Sequence, residues 1–270
     1  MKRLLLLTFV TIAAFSAIYA GENENDITVE ADNTSTKVEN RTVSKFTKIA
    51  VDGCVTVYYT QGSKHSVKVK GPAEALKELT VKVKDNTLLV SSKNSSARII
   101  ALKGKNLINS FLGNNRKDNG VYVYITSPNL IGVMVLGSGN FICSGLLDTD
   151  NMYIELKGSG DINFKNIICD DITTKLIGSG DINIKNLDAL YSKVNLVGSG
   201  DIGISQKNTK HTNVSLKGSG DISISFNKCN RLESNLKGSG DITFRGKVAS
   251  MKKEQLGSGD YHIKNLHVGK

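Results

Sequence analysis

A chain of 270 residues with 39% apolar and 22% charged side chains is long enough for one large β domain or two ordinary ones, and too apolar to remain unfolded. Its 26 glycines against 2 prolines, with no tryptophan, exclude a proline-rich linker protein and a platform of stacked indoles. The net charge of +10 points to anionic partners.

Lys2 and Arg3 precede an apolar run from Leu4 to Ile18, and the small Ala20 offers a cleavage point before Gly21. Residues 1–20 therefore read as a secretory signal peptide. Thr8, Thr11 and Ser16 interrupt a stretch already shorter than a membrane span needs. With no second hydrophobic segment after it, the cleaved protein is expected to lack a membrane span. It is expected to be exported, in the periplasm, at the cell surface or outside the cell. Residues 21–42 carry Glu22, Glu24, Asp26, Glu30, Asp32 and Glu39 against Lys37 and Arg41, and read as a polar acidic linker. The body that follows is strongly basic. In an exported protein such a surface meets an anionic glycan or extracellular matrix rather than nucleic acid, although charge for solubility alone is the plainer alternative.

From residue 43 the chain alternates apolar and polar residues in short runs: FTKIAVDGCVTVYYT (46–60), HSVKVKG (65–71), LTVKVKDNTLLVSS (79–92) and VYVYIT (121–126). These are strands, separated by turn signals such as QGS, GPAEALKE and KDN. Residues 102–120 are polar, basic and aperiodic, so a projecting loop is expected there, with Lys103, Lys105, Arg116 and Lys117 as candidate binding cations.

The second half repeats. Gly-Ser-Gly occurs at Gly137/Gly139, Gly158/Gly160, Gly178/Gly180, Gly198/Gly200, Gly218/Gly220, Gly238/Gly240 and Gly257/Gly259, at spacings of 19 to 21 residues. Asp161, Asp181, Asp201, Asp221, Asp241 and Asp260 follow six copies, and Asn140 follows the first. Two residues before each of the first six copies stands Val135, Leu156, Leu176, Leu196, Leu216 or Leu236. Four and six residues after the first Gly stand pairs such as Phe141/Cys143, Ile162/Phe164, Ile182/Ile184 and Ile242/Phe244. Even offsets place all of these, and both glycines, on one inward face of a strand. Each GSG is then a corner where only glycine fits, by steric room or by a positive φ, with Ser and Asp pointing outward. A third run in each period, such as NIKNLDALYSKV (183–194), completes a three-sided coil. The fold expected is all-β: a right-handed parallel β-helix, or β-solenoid, over 43–270, with irregular coils at 43–132 and regular GSGD coils at 133–270. A leucine-rich repeat would need a recurring LxxLxLxxN frame and helix formers, which are absent.

The FxxIxVDGxxxVYxTQG of Phe46 to Gly62, the TLLV of Thr87 to Val90, the VYVYITSPNL of Val121 to Leu130 and the repeated LxGSGDI together resemble the bacterial family described as putative auto-transporter adhesin, head GIN domain. The resemblance covers nearly everything from about Val43 onward. It implies an exported β-solenoid of the kind common in Bacteroidota-like bacteria, with an adhesin role and no catalytic residues to carry over. Unlike an autotransporter, the chain is expected to carry no C-terminal membrane barrel.

The aspartate column at coil spacing of about 4.8 Å invites a calcium ladder of oxygen ligands. Calcium-binding rolls use a nine-residue GGxGxDxUx unit instead, and Asp here directly follows Gly. Repulsion between neighbouring carboxylates at that distance is about 0.8 kcal/mol in water, so no metal is needed to tolerate it. The aspartates are read as turn-bonding corner residues, with calcium the alternative and no cofactor expected. Cys169 and Cys229 share a column three coils apart, beyond disulfide reach; Cys143 reads as a buried apolar residue, and Cys54 stays undetermined.

An enzyme, for instance a polysaccharide-degrading β-helix, needs carboxylates facing each other across a cleft, and uniform coils leave no insertions to build one. His65, His211, His262 and His267 fit no HExxH or triad pattern. The expectation is a non-catalytic adhesin-like module that presents repeated faces, including the corner cations Lys157, Lys165, Lys185, Lys217, Lys237 and Arg245, to a polymeric partner. Open solenoid ends expose strand edges, so either the final NLHVGK caps the last coil or a second copy does.

Overall fold

A computed structural model describes residues 36–92 and 120–269, all within one compact unit. The expected leader (1–20) and the candidate cations Lys103, Lys105, Arg116 and Lys117 lie outside the described residues. The chain forms β1 (Thr36–Arg41), β2 (Lys48–Asp52), β3 (Thr56–Gln61), β4 (Ser66–Pro72), α1 (Ala73–Glu78), β5 (Leu79–Lys84), β6 (Thr87–Ser92) and β7 (Tyr122–Ser127). It continues through β8 (Gly132–Gly137), β9 (Asn140–Asp148), β10 (Asn151–Gly158), β11 (Asp161–Gly178), β12 (Asp181–Gly198) and β13 (Asp201–Gly218). β14 (Ile222–Gly238), β15 (Ile242–Leu256), β16 (Tyr261–His262) and β17 (Leu266–Val268) complete it.

The regular part is a parallel β-solenoid. β11, β12, β13, β14 and β15 stack in parallel, so that Ile162, Ile182, Ile202, Ile222 and Ile242 form one buried column and Leu176, Leu196, Leu216 and Leu236 another. Within the coil that begins at Asp161 the inward residues are Ile162 and Phe164, then Ile167 and Cys169, then Ile172, Thr174 and Leu176. The even offsets expected for the first and last of these runs hold; the middle run stands at odd offsets. The side-chain alternation resets at the outward pairs Lys165–Asn166 and Asp170–Asp171, which makes the coil three-sided.

The GSG corners correct the expectation that both glycines of a copy are alike and face inward. The second glycines (Gly139, Gly160, Gly180, Gly200, Gly220, Gly240 and Gly259) are buried, whereas the first (Gly137, Gly158, Gly178, Gly198, Gly218, Gly238 and Gly257) remain partly or fully exposed. The stacked carbonyl bars a Cβ at both positions from Gly158 onward, at 2.1–2.2 Å for the first glycine and 1.9–2.0 Å for the second, and only the first adds a positive φ. Gly178 stands for the first position, with φ +136°, a conformation that L side chains rarely adopt. Gly180 stands for the second: its φ is not positive, but a Cβ there would lie 2.0 Å from the carbonyl oxygen of Gly160 in the coil beneath. The same obstacle meets a Cβ at Gly139, 2.6 Å from the Gly53 carbonyl oxygen, and at Gly200, Gly220 and Gly240, at 2.0, 2.0 and 1.9 Å from the carbonyl of the coil below. What excludes a side chain is thus the stacked peptide rather than a shortage of room in the interior, and burial keeps these seven glycines away from any ligand. The corner also satisfies backbone groups, because the Gly158 carbonyl accepts from the N–H of Ser179 at 2.9 Å and of Gly180 at 3.1 Å.

The N-terminal coils differ from a simple continuation. β2 and β3 are sandwiched, with β8 and β9 on one side and β6 and β7 on the other, all parallel. The chain thus lays its first coil, crosses to the outside of it, then returns beneath to start the regular stack. β4 and β5, expected as coil strands, run antiparallel to β7 and β6. The β5–β6 turn explains the reversal there, since Asp85 and Asn86 have φ of 49° and 60°, the pair a type I′ hairpin requires. GPAEALKE, read as a turn, contains the short helix α1, started by Pro72 and holding Leu76 in the core. The linker expected to end at residue 42 is also shorter, because its last residues form β1, antiparallel to β4.

The four cysteines form no disulfide. Cys143 is buried opposite Tyr59 and Phe164 in an inward column, and Phe141 stacks between Tyr59 and Phe164 at 6.1 and 5.4 Å.

Candidate binding surface

The aspartate column is built from the corner outward. Asp221 places its Oδ1 to accept the backbone N–H of Asp241 at 2.9 Å, and its own N–H donates to Asp201 Oδ1 at 3.1 Å. The same bond joins Asp201 to Asp181 and Asp260 to Asp241. At the top of the ladder Asn140 Oδ1 accepts from the N–H of Asp161 at 3.0 Å, so a neutral amide performs the same task. One oxygen of each such pair is therefore committed to the neighbouring coil. Asp241 also meets His262 Nε2 at 3.0 Å, and this contact holds its carboxyl below the usual range. Asp161 moves the other way: partial burial, and then the charge of Asp181, push its carboxyl up. Among the described residues no three His, Cys, Asp or Glu side chains gather as a metal site.

The outward positions between the corners form parallel columns. Lys165 and Lys185 continue to Ser205, Ser225 and Arg245, and Lys217 stands directly over Lys237; all five cations among these are exposed. Lys157, expected with them, is not available: it is 9% exposed and pairs with Glu155 at 2.8 Å. Lys175 reaches the same carboxylate at 3.2 Å. Burial alone raises the Glu155 carboxyl, but the hydrogen bonds and charges of the two lysines outweigh it and hold the group below its ordinary value.

The remaining reactive groups are quiet. Burial pushes the Cys143 thiol up to about 11 and that of Cys169 to about 12, which keeps both protonated and poor nucleophiles. His65 bonds the backbone of Phe46, and His211 faces Glu233 at 3.5 Å. Among the described residues no helix is long and apolar enough to cross a membrane.

A second surface is not visible in the sequence. The alternation of VYVYIT and HSVKVKG marks them as strands but gives no role to their outward halves, Tyr122, Tyr124, Lys68 and Lys70. Only the pairing of β4 with β7 and of β7 with β3 brings these residues beside Tyr58. The available signal is the doubled Tyr-x-Tyr and Lys-x-Lys, in strands whose pairing local alternation does not fix.

Stacked coils with in-register polar columns on their faces define a parallel β-solenoid protein. The chain belongs to the family described as putative auto-transporter adhesin, head GIN domain, whose model matches residues 45–228 and again 186–270. Among solved structures, a putative adhesin from Bacteroides fragilis NCTC 9343 is 25% identical with a TM-score of 0.68, covering 84% of this chain and 97% of its own. A putative lipid binding protein from Parabacteroides distasonis ATCC 8503 is 19% identical with a TM-score of 0.67, covering 86% of this chain and 98% of its own. A putative adhesin from Parabacteroides merdae ATCC 43184 is 17% identical with a TM-score of 0.65, again over 86% of this chain and 98% of its own. No match was found among curated proteins.

Proposed function

We propose that the protein is a non-catalytic, exported surface-binding module whose solenoid faces engage an extended anionic polymer, a glycan or matrix component. The observation that carries this reading is the in-register stacking of outward side chains, which sets exposed cations of neighbouring coils side by side in the pairs Lys165–Lys185 and Lys217–Lys237, about 4.8 Å apart, on a face that repeats as an extended ligand does. The excess of 35 Lys and Arg over 25 Asp and Glu supplies the sign of the charge. The corner aspartates serve the fold, since one oxygen of each bonded pair is occupied by the next coil.

The test incubates the protein with polygalacturonate, heparan sulfate and dextran, and follows complex formation and polymer length by size-exclusion chromatography with light scattering. A complex with one of the acidic polymers, at unchanged polymer length and weakened by salt, is expected. Shortened polymer overturns the non-catalytic assignment, and absence of any complex overturns the reading altogether.

A further inference from the structure

At the N-terminal end of the stack, β1, β4, β7, β3 and β9 lie side by side and turn one face of their sheet outward. Their register places Asn40, Lys68, Tyr124, Tyr58 and Ile142 in one row across it, with Val38, Lys70 and Tyr122 in the adjacent row. The rings of Tyr58 and Tyr124 stack 5.3 Å apart at 13°. Since Tyr58 covers one face of Tyr124, the other face turns over β4. There a groove of about 480 Å³ is lined by Val38, Ser66, Lys68, Lys70, Tyr124 and Thr126. Tyr124 is 41% exposed and Val38 57%, so the groove presents apolar surface as well as cations. The outward positions of β1, β4, β7 and β3 carry lysines and hydroxyls but no carboxylate.

We propose that this groove is a subsite for one ring of a uronic-acid glycan, a site that rests on and sharpens the surface-binding reading. The C–H face of the sugar ring lies against the open face of Tyr124, which offers a broad apolar body with a polar tip. Its carboxylate sits between the ammonium groups of Lys68 and Lys70, two positions on one side of β4 and about 7 Å apart along the strand. Ser66 and Thr126 hydroxyls meet the ring hydroxyls at the groove edge. Charge complementarity selects an acidic sugar over a neutral one. Single-stranded nucleic acid would want a run of open aromatic faces for successive bases. Here Tyr58 and Tyr124 cover one another, leaving one open face and room for one ring. An acyl-chain surface is disfavoured by the two exposed lysines and the hydroxyls of the lining.

Binding is read by isothermal titration calorimetry on the full chain, because its eight tyrosines spread the intrinsic emission well beyond the groove and Tyr124 is itself to be replaced. A galacturonate hexamer is expected to bind, and the carboxyl-reduced hexamer is expected to bind at least tenfold more weakly. Tyr124→Ala, and separately the pair Lys68→Gln with Lys70→Gln, are expected to weaken hexamer binding at least tenfold, while Tyr124→Phe stays within about twofold of the wild type. All of these positions are on the surface, and thermal melting monitors the fold of each variant. If the hexamer binds both variants as well as wild type, or if the wild type binds an acidic polymer but not the hexamer, the groove assignment is overturned while the broader surface-binding reading survives. If the wild type binds no polymer at all, both fall. If oligo-dT binds instead and loses affinity in the same variants, the groove is a nucleic-acid surface and the proposal is wrong.

Discussion

At the scale of single residues, the acidic groups divide into those that the fold uses as acceptors and those that it charges. Asn140 already replaces Asp at the first step of the ladder, so the oxygen matters there and the charge does not. Asp221→Asn is expected to leave the melting temperature nearly unchanged, while Asp221→Ala costs about 1 kcal/mol for the acceptor lost to the Asp241 N–H. Addition of millimolar calcium should shift neither curve, and a calcium-dependent rise in the wild type that Asp221→Asn abolishes would restore the metal reading. Glu155 and Asp161 should respond to pH in opposite senses. The folded-state pKa of Glu155 is depressed by Lys157 and Lys175, so its contribution is complete above about pH 4.3 and is lost as pH falls through the lower folded value. Glu155→Gln should therefore melt lower than wild type at pH 7 and converge with it in acid. Asp161 is raised by burial and by Asp181, so its ionisation opposes folding above about pH 3.9. Asp161→Asn should melt higher than wild type at neutral pH, with the difference vanishing in acid, and both comparisons are read from melts between pH 3 and 7.

At the scale of the coil, the corner and the bulge make separate demands on the backbone. Gly180→Ala drives its Cβ to 2.0 Å from a carbonyl that has nowhere to move, and a loss of about 2–4 kcal/mol is expected. Gly145 is the control, because no atom lies within 4 Å of a Cβ built there and its φ is not positive. Gly145→Ala should be neutral or slightly stabilising, by up to about 1 kcal/mol, and chemical denaturation of the two variants separates the cases. The outward pair Lys185–Asn186 of β12 moves to Lys207–Asn208 in β13, where the pairing passes from Ile184–Ile204 to Leu187–Gln206 and regains its register at Tyr191–His211. Asn208 and then Lys228 take up the shift with φ of 61° and 63°. Asn tolerates this region and Lys does not, so Lys228→Gly is expected to stabilise by about 1 kcal/mol, and a loss of stability in denaturant would show that the Lys228 side chain contributes more than its backbone costs.

For the whole molecule, legibility followed sequence distance. The GSG period, the Ile and Leu columns and the parallel coil were readable because each coil pairs with the one about twenty residues away and the spacing fixes the register. The stacked peptide that bars a side chain at both glycines of a corner, and the positive φ that the first one adds, were not, since a sequence offset gives the side of the strand but not what lies beneath it. The insertion of β2 and β3 between β6–β7 and β8–β9 was not readable either, because local alternation does not say which of several strands becomes the neighbour. β1 was missed because TKVENR lacks apolar alternation and is held at an edge by β4. The tyrosine groove was hidden for the same reason, as its residues lie up to 88 positions apart, from Val38 to Thr126. The two ends of the solenoid were expected to need caps, and the structure builds each differently. Antiparallel β5, β4 and β1 cover the N-terminal end. At the other end β17 pairs only with Gly246–Val248, and the Ser250–Leu256 part of β15 has no partner beyond β14 among the described residues. There the inward columns change chemistry: Ser234 gives way to Lys253 and Leu236 to Gln255. Lys253 lies 4.8 Å over the Tyr261 ring and Gln255 donates to the Gly259 carbonyl at 2.7 Å, which closes the core with polar groups and places charge on the open edge. The C-terminal end is thereby blunted against pairing with a second copy, and light scattering should find the wild type monomeric at micromolar concentration. Lys253→Val with Gln255→Leu restores the apolar columns of the preceding coils and should produce concentration-dependent association. A wild type that already dimerises, and a variant no more associated than it, would show that the end is an interface and the polar residues part of it.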